Sequence, residues 1–136
     1  MGLTIICVYG TSSTGKSTTI RRFTERYLRF RKERGDVRGV FQMPVRGYAV
    51  GVSSAGDTPS GVERGLKFLN RYVGIRVMVI ACHLKESATF KVVERFRLRK
   101  KARIHYVPTT KLVEKAKQDA AIRTNIRRIK RLMPRA

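Results

Sequence analysis

Two glycines, a lysine and a serine stand at the spacing G-x-x-x-x-G-K-[ST] in the segment from Gly10 to Ser17, which reads GTSSTGKS. Glycines let a short loop curl until its backbone N–H groups point inward and surround an anion. A helix that starts where the loop ends adds the positive end of its dipole at the same place. The ammonium group of Lys16 and the hydroxyl of Ser17 would face that anion, so this spacing indicates the binding of phosphate groups.

The elements on both sides of this segment are those that such a loop needs. The run Leu3–Tyr9 is continuously apolar and predicts a buried strand. From Ser17 to about Arg34, apolar side chains recur at spacings of three and four, which predicts a helix with one face in the core. Gly35 is the expected end of that helix. The residues on its inward face are Ile20, Phe23, Tyr27 and Phe30.

The segment resembles the phosphate-binding loop of the P-loop NTPase superfamily, with a specific match at Gly10, Gly15, Lys16 and Ser17. The resemblance implies a nucleoside triphosphate, with Lys16 reaching the β- and γ-phosphates as a catalytic residue and Ser17 holding Mg²⁺. Over the rest of the chain it extends only to the alternation of strands and helices. The residues expected to contact the nucleotide are Gly10, Thr11, Ser12, Ser13, Thr14, Gly15, Lys16, Ser17 and Thr18.

Four further strands and three further helices are predicted after the first helix. Val37–Gln42 and Gly47–Ser53 are joined by a link, residues 43–46, that is too short for a crossover helix, so these two strands should be antiparallel. A helix should begin at Ser60, which forms a capping box with Glu63. The remaining elements are strands at Ile75–Cys82 and Ile104–Val107 and helices from about Ala88 and after Thr110.

This order of elements predicts one α/β domain over residues 1–136. Its expected architecture is a three-layer sandwich with a mostly parallel five-stranded sheet, one antiparallel strand pair and helices on both faces. Ligands of such sheets bind beyond the carboxyl ends of the strands. The candidate site segments are therefore residues 11–17, 53–60, 83–87 and 108–111.

A triphosphate site also needs a carboxylate close to the metal ion or to the attacking group. Asp57 follows a predicted buried strand and is the expected catalytic and Mg²⁺-side acid, with a plain turn aspartate as the alternative. Glu86 follows another strand. Asp36 precedes a strand, which predicts that it lies on the edge of the sheet opposite to the loop. The other six acids fall on predicted helices: Glu25, Glu33, Glu63, Glu94, Glu114 and Asp119.

The sequence favours ATP over GTP. Small GTPases carry an Asp-x-x-Gly switch, whereas Asp57 and Gly61 are one residue too far apart for it. Their guanine-reading Asn-Lys-x-Asp segment is also absent, because the strand that would precede it is followed by His83-Leu84-Lys85-Glu86. ATP is therefore the expected nucleotide, together with Mg²⁺.

Several basic side chains could contact a substrate or the transferred phosphate. Small phosphotransferases of this superfamily close arginines of a mobile lid over the phosphates. The alternation of Arg95, Arg97 and Arg99 fits such an extended segment, although a solvated basic surface or a nucleic-acid contact is the other interpretation. His83 and Lys85, just beyond a strand end, are further candidates, and His83 could also be an ordinary hydrogen-bonding residue.

The net charge indicates a polyanionic partner. Lys and Arg number 31 against 9 Asp and Glu, which gives +22 in 136 residues. A compact domain with this charge repels itself unless polyanions are near, so sequence-independent nucleic-acid binding is expected. An anionic membrane surface is less favoured because no basic helix has the wide apolar face that membrane docking uses.

The remaining composition narrows the cellular setting. No run reaches 18 apolar residues, so no membrane span is predicted. The first strand starts at Leu3, which leaves no room for a signal peptide, and the expected location is the cytoplasm. Cys7 and Cys82 fall in apolar strands and are expected to be reduced core thiols rather than a disulfide or a metal site.

Three functions remain open on the sequence. The first is an Mg-ATP-dependent ATPase that acts on or with nucleic acid. The second is a small nucleoside, nucleotide or polynucleotide kinase, and the third is a nucleotide-dependent binding module that does not hydrolyse ATP. In a homo-oligomer, a neighbouring subunit could supply a missing arginine or acid to the first of these.

Overall fold

A computed structural model describes residues 2–44 and 46–135; Val45, in the predicted link between two strands, lies outside them. The strands and helices alternate as the sequence predicts. In chain order they are β1 (Thr4–Tyr9), α1 (Lys16–Leu28), β2 (Arg38–Gln42), β3 (Ala49–Ser53), α2 (Pro59–Asn70), β4 (Ile75–Cys82), α3 (Ala88–Lys100), β5 (Arg103–Pro108) and α4 (Lys115–Leu132).

The five strands form one mixed sheet in the order β2-β3-β4-β1-β5. β2 and β3 are antiparallel, and every other neighbouring pair is parallel. The predicted α/β class, with one antiparallel pair in a mostly parallel sheet, is confirmed. β4 lies between β3 and β1, so the segments that follow β3 and β4 both approach the loop that follows β1.

Helices cover both faces of the sheet and create two apolar cores. Successive side chains of a strand point to opposite faces, so Ile6 and Val8 of β1 face one core while Ile5 and Cys7 face the other. α1 and α4 cover the first core and α2 and α3 cover the second. The four residues are fully buried because β1 is central and covered on both sides, which fixes the position of the loop at its end.

α1 is shorter than the sequence predicts. It ends at Leu28, where Arg29 takes a left-handed conformation with φ 59°, well before Gly35. Phe30, expected on the inward face of the helix, packs instead on Phe41 of β2, with ring centroids 5.2 Å apart. Phe30 thus has the spacing of an inward-facing helix residue but lies beyond the helix. Its packing partner belongs to the edge strand β2.

α2 is capped by Thr58 and not by the predicted Ser60. The Thr58 Oγ1 accepts a hydrogen bond from the Gly61 backbone N–H at 3.0 Å. Pro59 explains the difference, because its fixed φ and missing N–H suit the first position of a helix and leave the cap to the preceding residue. Asp57 consequently lies directly before the N-cap residue of α2.

The two cysteines are buried and free, as expected. Their Sγ atoms, on the neighbouring strands β1 and β4, are 3.0 Å apart. The pKa of Cys7 is raised well above its ordinary value, mainly by burial and to a smaller extent by the contact with Cys82. The thiol therefore stays protonated. Within residues 2–44 and 46–135, no helix is long and apolar enough to cross a membrane.

Candidate functional site

The glycine-containing loop joins β1 to α1 at the carboxyl edge of the sheet. Gly15 is the N-cap of α1 in a left-handed conformation, with φ 92°, and no side chain caps this helix. The N–H groups of the first turn are therefore left for another acceptor, and the helix dipole favours an anion at that point. The predicted strand and helix flank the loop as a phosphate site requires.

Lys16 brings a buried positive charge into the loop. Its side chain is only 6% exposed, and its Nζ donates to the Gly10 carbonyl at 2.7 Å and the Thr11 carbonyl at 3.2 Å. The same Nζ lies 3.1 Å from Asp57 Oδ1. All three partners are oxygens, which phosphate oxygens can replace with little movement of the ammonium group.

The segments that follow β5 hold the loop from one side. Thr14 Oγ1 lies 2.6 Å from Thr109 Oγ1, and Thr109 Oγ1 also donates to the Tyr9 carbonyl at 2.9 Å. Gln118 of α4 donates through Nε2 to the Thr14 carbonyl at 3.2 Å. These contacts fix the loop from the side of β5 and α4.

Gly10 is required by the close approach of Thr109. A Cβ at Gly10 would lie 2.9 Å from Thr14 Oγ1 and 3.0 Å from the Thr109 carbonyl oxygen, and it would also meet Thr109 Oγ1. We expect Gly10→Ala to lower the free energy of unfolding by about 2 kcal/mol, because part of this contact is backbone and cannot move aside. Urea denaturation measures the loss.

Gly2→Ala is the matched control for that substitution, since nothing lies within 4 Å of a Cβ there. It should leave the unfolding midpoint unchanged. A Gly10→Ala protein as stable as wild type would show that the loop is not packed against Thr109 as described.

Asp57 and His83 stand together beside the loop. Asp57 Oδ1 is 3.5 Å from His83 Nε2, and His83 Nε2 is 3.2 Å from Ser12 Oγ. The backbone N–H of His83 donates to Thr89 Oγ1 at 2.8 Å, which fixes the residue at the end of β4. Because β4 lies between β3 and β1, these two predicted residues and Lys16 come together from three separate strand ends.

Asp36 also belongs to this site, and the prediction that it lies on the opposite edge of the sheet is wrong. Its Oδ1 accepts hydrogen bonds from Ser17 Oγ at 3.2 Å and from Ser54 Oγ at 3.0 Å. β2 runs antiparallel to β3, so the residue before β2 lies at the carboxyl edge of the parallel strands. The predicted antiparallel pair was the signal that could have identified Asp36.

Arg21 is a second neighbour of Ser17 that the sequence did not single out. Its Nη1 donates to Ser17 Oγ at 3.3 Å and to the Gly35 carbonyl at 2.9 Å. Arg21 is one turn beyond Ser17 on α1, so the spacing i, i+4 places it on the same face. A guanidinium group thus lies beside the hydroxyl expected to hold the metal ion.

A cleft of about 160 Å³ connects these groups, and its oxygen atoms suit Mg²⁺. Ser17 and Asp36 offer a hydroxyl and a carboxylate, the hard oxygen ligands that this ion takes. The described part of the chain holds no group of three or more His, Cys, Asp or Glu that could bind a metal, so phosphate oxygens would have to complete the shell. The lining residues are Ser13, Gly15, Lys16, Ser17, Thr18, Asp36, Ser54 and Asp57.

The candidate lid arginines are not brought to the loop. Arg95, Arg97 and Arg99 lie in the second half of α3, so the expected extended segment is a regular helix. α3 starts at the carboxyl edge and runs away from it, which places these residues roughly 10 to 16 Å along its axis. Arg95 and Arg99 line a cavity of about 130 Å³ between α2 and α3, and Arg97 Nε lies 3.7 Å from Glu94 Oε2.

Lys85 stays near the site without joining it. It is exposed on the loop after β4, at the carboxyl edge, and its Nζ is 6.0 Å from the centroid of the Tyr106 ring. No phosphate-binding geometry follows from that position alone, so its contact with a substrate remains a prediction.

Comparisons of this chain with protein-family models, with curated proteins and with solved structures find no match. The roles of Lys16, Ser17, Asp36, Asp57 and His83 therefore depend on the contacts described above.

Proposed function

We propose that this protein binds Mg-ATP at residues 10–18 and hydrolyses it on or with nucleic acid. One observation carries the proposal: the buried ammonium of Lys16, the uncapped start of α1 and two carboxylates meet in one cleft at the carboxyl edge of the sheet. The cleft combines hydrogen-bond donors that can bind a triphosphate with two carboxylates. One carboxylate can bind a metal ion and the other can activate a nucleophile, and phosphoryl transfer uses all of these groups.

A second depression next to the loop offers room for the nucleoside. It measures about 380 Å³ and lies between Thr18 and Arg22 of α1 and the segment from Lys111 to Ile122. Pockets that hold small ligands begin at about 300 Å³. Leu112 and Ile122 supply apolar surface for a base, while Ser13 and Gly15 connect the depression to the phosphate loop.

Ser17 and Asp36 would hold the metal ion in this proposal, and Asp57 would act on the nucleophile. Ser17 Oγ already contacts Asp36, whereas Asp57 contacts Lys16 and His83. An Mg²⁺ ion bound by oxygens would withdraw charge from the phosphate groups. Asp36 and Asp57 thus have one role each, whereas the sequence suggested Asp57 for both roles.

In the proposed reaction, Lys16, Asp57 and His83 act on the bound ATP. A water oxygen forms a bond to the γ-phosphorus while the bond to the oxygen that bridges the β- and γ-phosphates breaks. Asp57 accepts the proton that the water loses, and His83 Nε2, 3.5 Å from Asp57 Oδ1, orients the carboxylate. Lys16 and the loop N–H groups stabilise the negative charge that moves onto the leaving phosphate.

Asp36→Asn should separate metal binding from the rest of the site. The substitution keeps an oxygen near Ser17 and removes the charge, so we expect about a 10-fold higher Mg²⁺ concentration for half-maximal binding of a non-hydrolysable ATP analogue. Mn²⁺ binding followed by electron paramagnetic resonance, in the presence of the analogue, provides a direct reading of the ion.

Glu33→Gln removes the same charge from an exposed neighbour that pairs with Arg31 and is the control for Asp36. It should bind Mn²⁺ as wild type does. If Asp36→Asn also binds the ion with unchanged affinity, Asp36 has no part in the metal site.

The net charge of +22 is the reason for including nucleic acid in the proposed function. A phosphate loop with one lysine accounts for only a small part of that charge. The test is ATP hydrolysis with Mg²⁺, with and without single- and double-stranded DNA or RNA, at two salt concentrations. We expect stimulation that fades as the salt concentration rises, since released counterions drive such binding. Turnover that no nucleic acid changes at low salt would contradict this part of the proposal.

A kinase is the second candidate, and the exposure of Asp57 is the observation in its favour. The side chain is 62% exposed, so an acceptor hydroxyl could take the place of the water. ATP consumption that depends on one small acceptor, with no response to nucleic acid, would identify this function. ATP binding without turnover under any of these conditions would identify the binding module instead.

A homo-oligomer could supply an arginine that the site of one chain lacks. None of the candidate lid arginines on α3 lies near the loop, so an arginine over the γ-phosphate would come from Arg21 or from a neighbouring subunit. We propose the neighbouring subunit only for an assembly that forms on nucleic acid. Sedimentation in the presence and absence of DNA tests it.

A further inference from the structure

The acids of the chain are unevenly distributed between the two edges of the sheet. Strands and helices alternate in direction, so every helix starts at the carboxyl edge and ends at the amino edge. Six of the nine acids lie at the carboxyl edge, in its loops or no later than the fifth residue of a helix. They are Asp36, Asp57, Glu63, Glu86, Glu114 and Asp119.

The amino edge is basic by contrast. It contains the starts of β4 and β5, the ends of α2, α3 and α4 and the link between β2 and β3. The basic side chains placed there are Arg46, Arg71, Arg76, Lys101, Arg103 and Arg131. Few acids lie near these side chains, so their positive charge is less balanced than the charge beside the phosphate loop.

A groove of about 550 Å³ lies in this edge, across the starts of β1, β4 and β5. Arg76, Lys101 and Arg103 line it, and no acid does so among residues 2–44 and 46–135. In the same part of the chain, none of these three side chains forms an ion pair. Three cations thus share one concave surface, and none of the residues described by the structure neutralises them.

The structure fixes the walls of the groove. The Arg103 backbone N–H donates to the Leu3 carbonyl at 3.0 Å, which joins β5 to the start of β1. On the other side, the Pro134 carbonyl accepts a hydrogen bond from Arg46 Nη1 at 2.7 Å and another from the Tyr48 hydroxyl. These contacts fix the backbone around the groove, from which Arg76, Lys101 and Arg103 extend.

We infer that this amino-edge groove binds the sugar–phosphate backbone of nucleic acid. Cations that line a groove and lack acidic neighbours match a chain of phosphates, which lies in a groove as a continuous polyanion. No aromatic side chain lines the groove in the described residues, so bases have no surface on which to stack and binding should not depend on sequence. The inference rests on the nucleic-acid part of the proposed function.

The location has a consequence for ATP. The strands separate the groove from the phosphate loop by roughly 20 Å, the length of six residues in a strand. Nucleic acid in the groove and ATP in the loop do not compete for one site. Saturating nucleic acid should therefore leave ATP able to bind, whereas a polyanion held at the loop would displace it.

The test compares two triple variants that lose the same charge. The groove variant carries Arg76→Gln, Lys101→Gln and Arg103→Gln; the control carries Arg64→Gln, Lys91→Gln and Lys115→Gln, on exposed positions in the first halves of α2, α3 and α4. Fluorescence anisotropy with a 20-base-pair duplex is measured over a salt series.

We expect the groove variant to lose about 30-fold or more in affinity, and its salt slope to fall by about 2 to 3 units for three lost phosphate contacts. The control should lose less than about 5-fold, and both variants should bind ATP as wild type does. Equal losses in the two variants, or a groove variant that binds as wild type does, would overturn the inference. Wild-type protein that binds no nucleic acid at low salt would instead contradict the proposed function.

Lysine protection and vesicle binding provide two further tests of the groove. Protection of wild-type Lys101, but not Lys91, from acylation by bound DNA reports on the groove without any substitution that could affect folding. Equal protection of the two lysines contradicts the inference. Binding to phosphatidylserine vesicles tests the other polyanionic surface: if the groove variant loses vesicle binding and keeps nucleic acid, the groove serves a membrane and the inference fails.

Discussion

Lys16→Ala is expected to weaken ATP binding by about 100-fold. The ammonium group is buried inside the loop with the Gly10 and Thr11 carbonyls and Asp57 as its partners. Its charge-assisted hydrogen bonds to phosphate would be made in a poorly hydrated place, where losing one partner of such a pair costs about 2–5 kcal/mol. Alanine removes the charge and leaves the backbone of the loop in place.

Isothermal titration calorimetry with ATP and Mg²⁺ measures this loss. Lys91→Ala is the control, because Lys91 is an exposed lysine on α3 and loses the same charge. Circular dichroism checks that both variants remain folded. Unchanged ATP affinity in Lys16→Ala, in a folded protein, would be incompatible with a phosphate site at this loop.

Asp57→Asn is expected to lower ATP hydrolysis by about 100-fold while ATP affinity changes by less than about 3-fold. Asparagine keeps the size of the side chain and its contact with Lys16 but cannot accept the proton of the attacking water. Loss of a general base typically costs 10²- to 10⁴-fold in rate. Binding is preserved because the phosphates are held by the loop and by Lys16.

Single-turnover hydrolysis and equilibrium binding, measured on the same preparation, separate the two effects. Glu86→Gln is the matched control, since Glu86 is an exposed acid on the loop after the neighbouring strand β4. It should retain wild-type rate and affinity. If Asp57→Asn raised the Mg²⁺ requirement and left the rate at saturating Mg²⁺ unchanged, Asp57 would be a metal-side acid, as the sequence suggested, and Asp36 would lose that role.

The region around β1 was predictable because its signals are local. The apolar run before Gly10 and the helix pattern after Ser17 lie next to the motif, so the order of strand, loop and helix follows from neighbouring residues. The mixed sheet was also predictable, because the short link between β2 and β3 permits only an antiparallel pair.

Asp36 was missed because its position depends on topology and not on its neighbours. A residue before a strand lies at the amino edge only if that strand is parallel to the rest, and β2 is not. The same type of error affects the arginines of α3. Their alternation suggested an extended segment, whereas packing of Val93 and Phe96 against the sheet keeps the segment helical.

The basic groove could not be recognised from charge alone. The sequence shows the excess of Lys and Arg, but these residues are spread along the whole chain. Arg76, Lys101 and Arg103 converge only because β4 and β5 flank β1 and start at the same edge. Composition predicts a polyanionic partner, whereas the groove proposed for that partner depends on the order of the strands.

The most direct test of the phosphate site is a map of backbone amide shifts by nuclear magnetic resonance as Mg²⁺ and a non-hydrolysable ATP analogue are added. The N–H groups of the loop should respond most strongly, because they would change partners. We predict the largest shifts within residues 10–18, together with Asp36, Asp57 and His83, and much smaller shifts there with AMP. Largest shifts at the amino-edge groove, with the loop unaffected, would contradict a nucleotide site at Lys16.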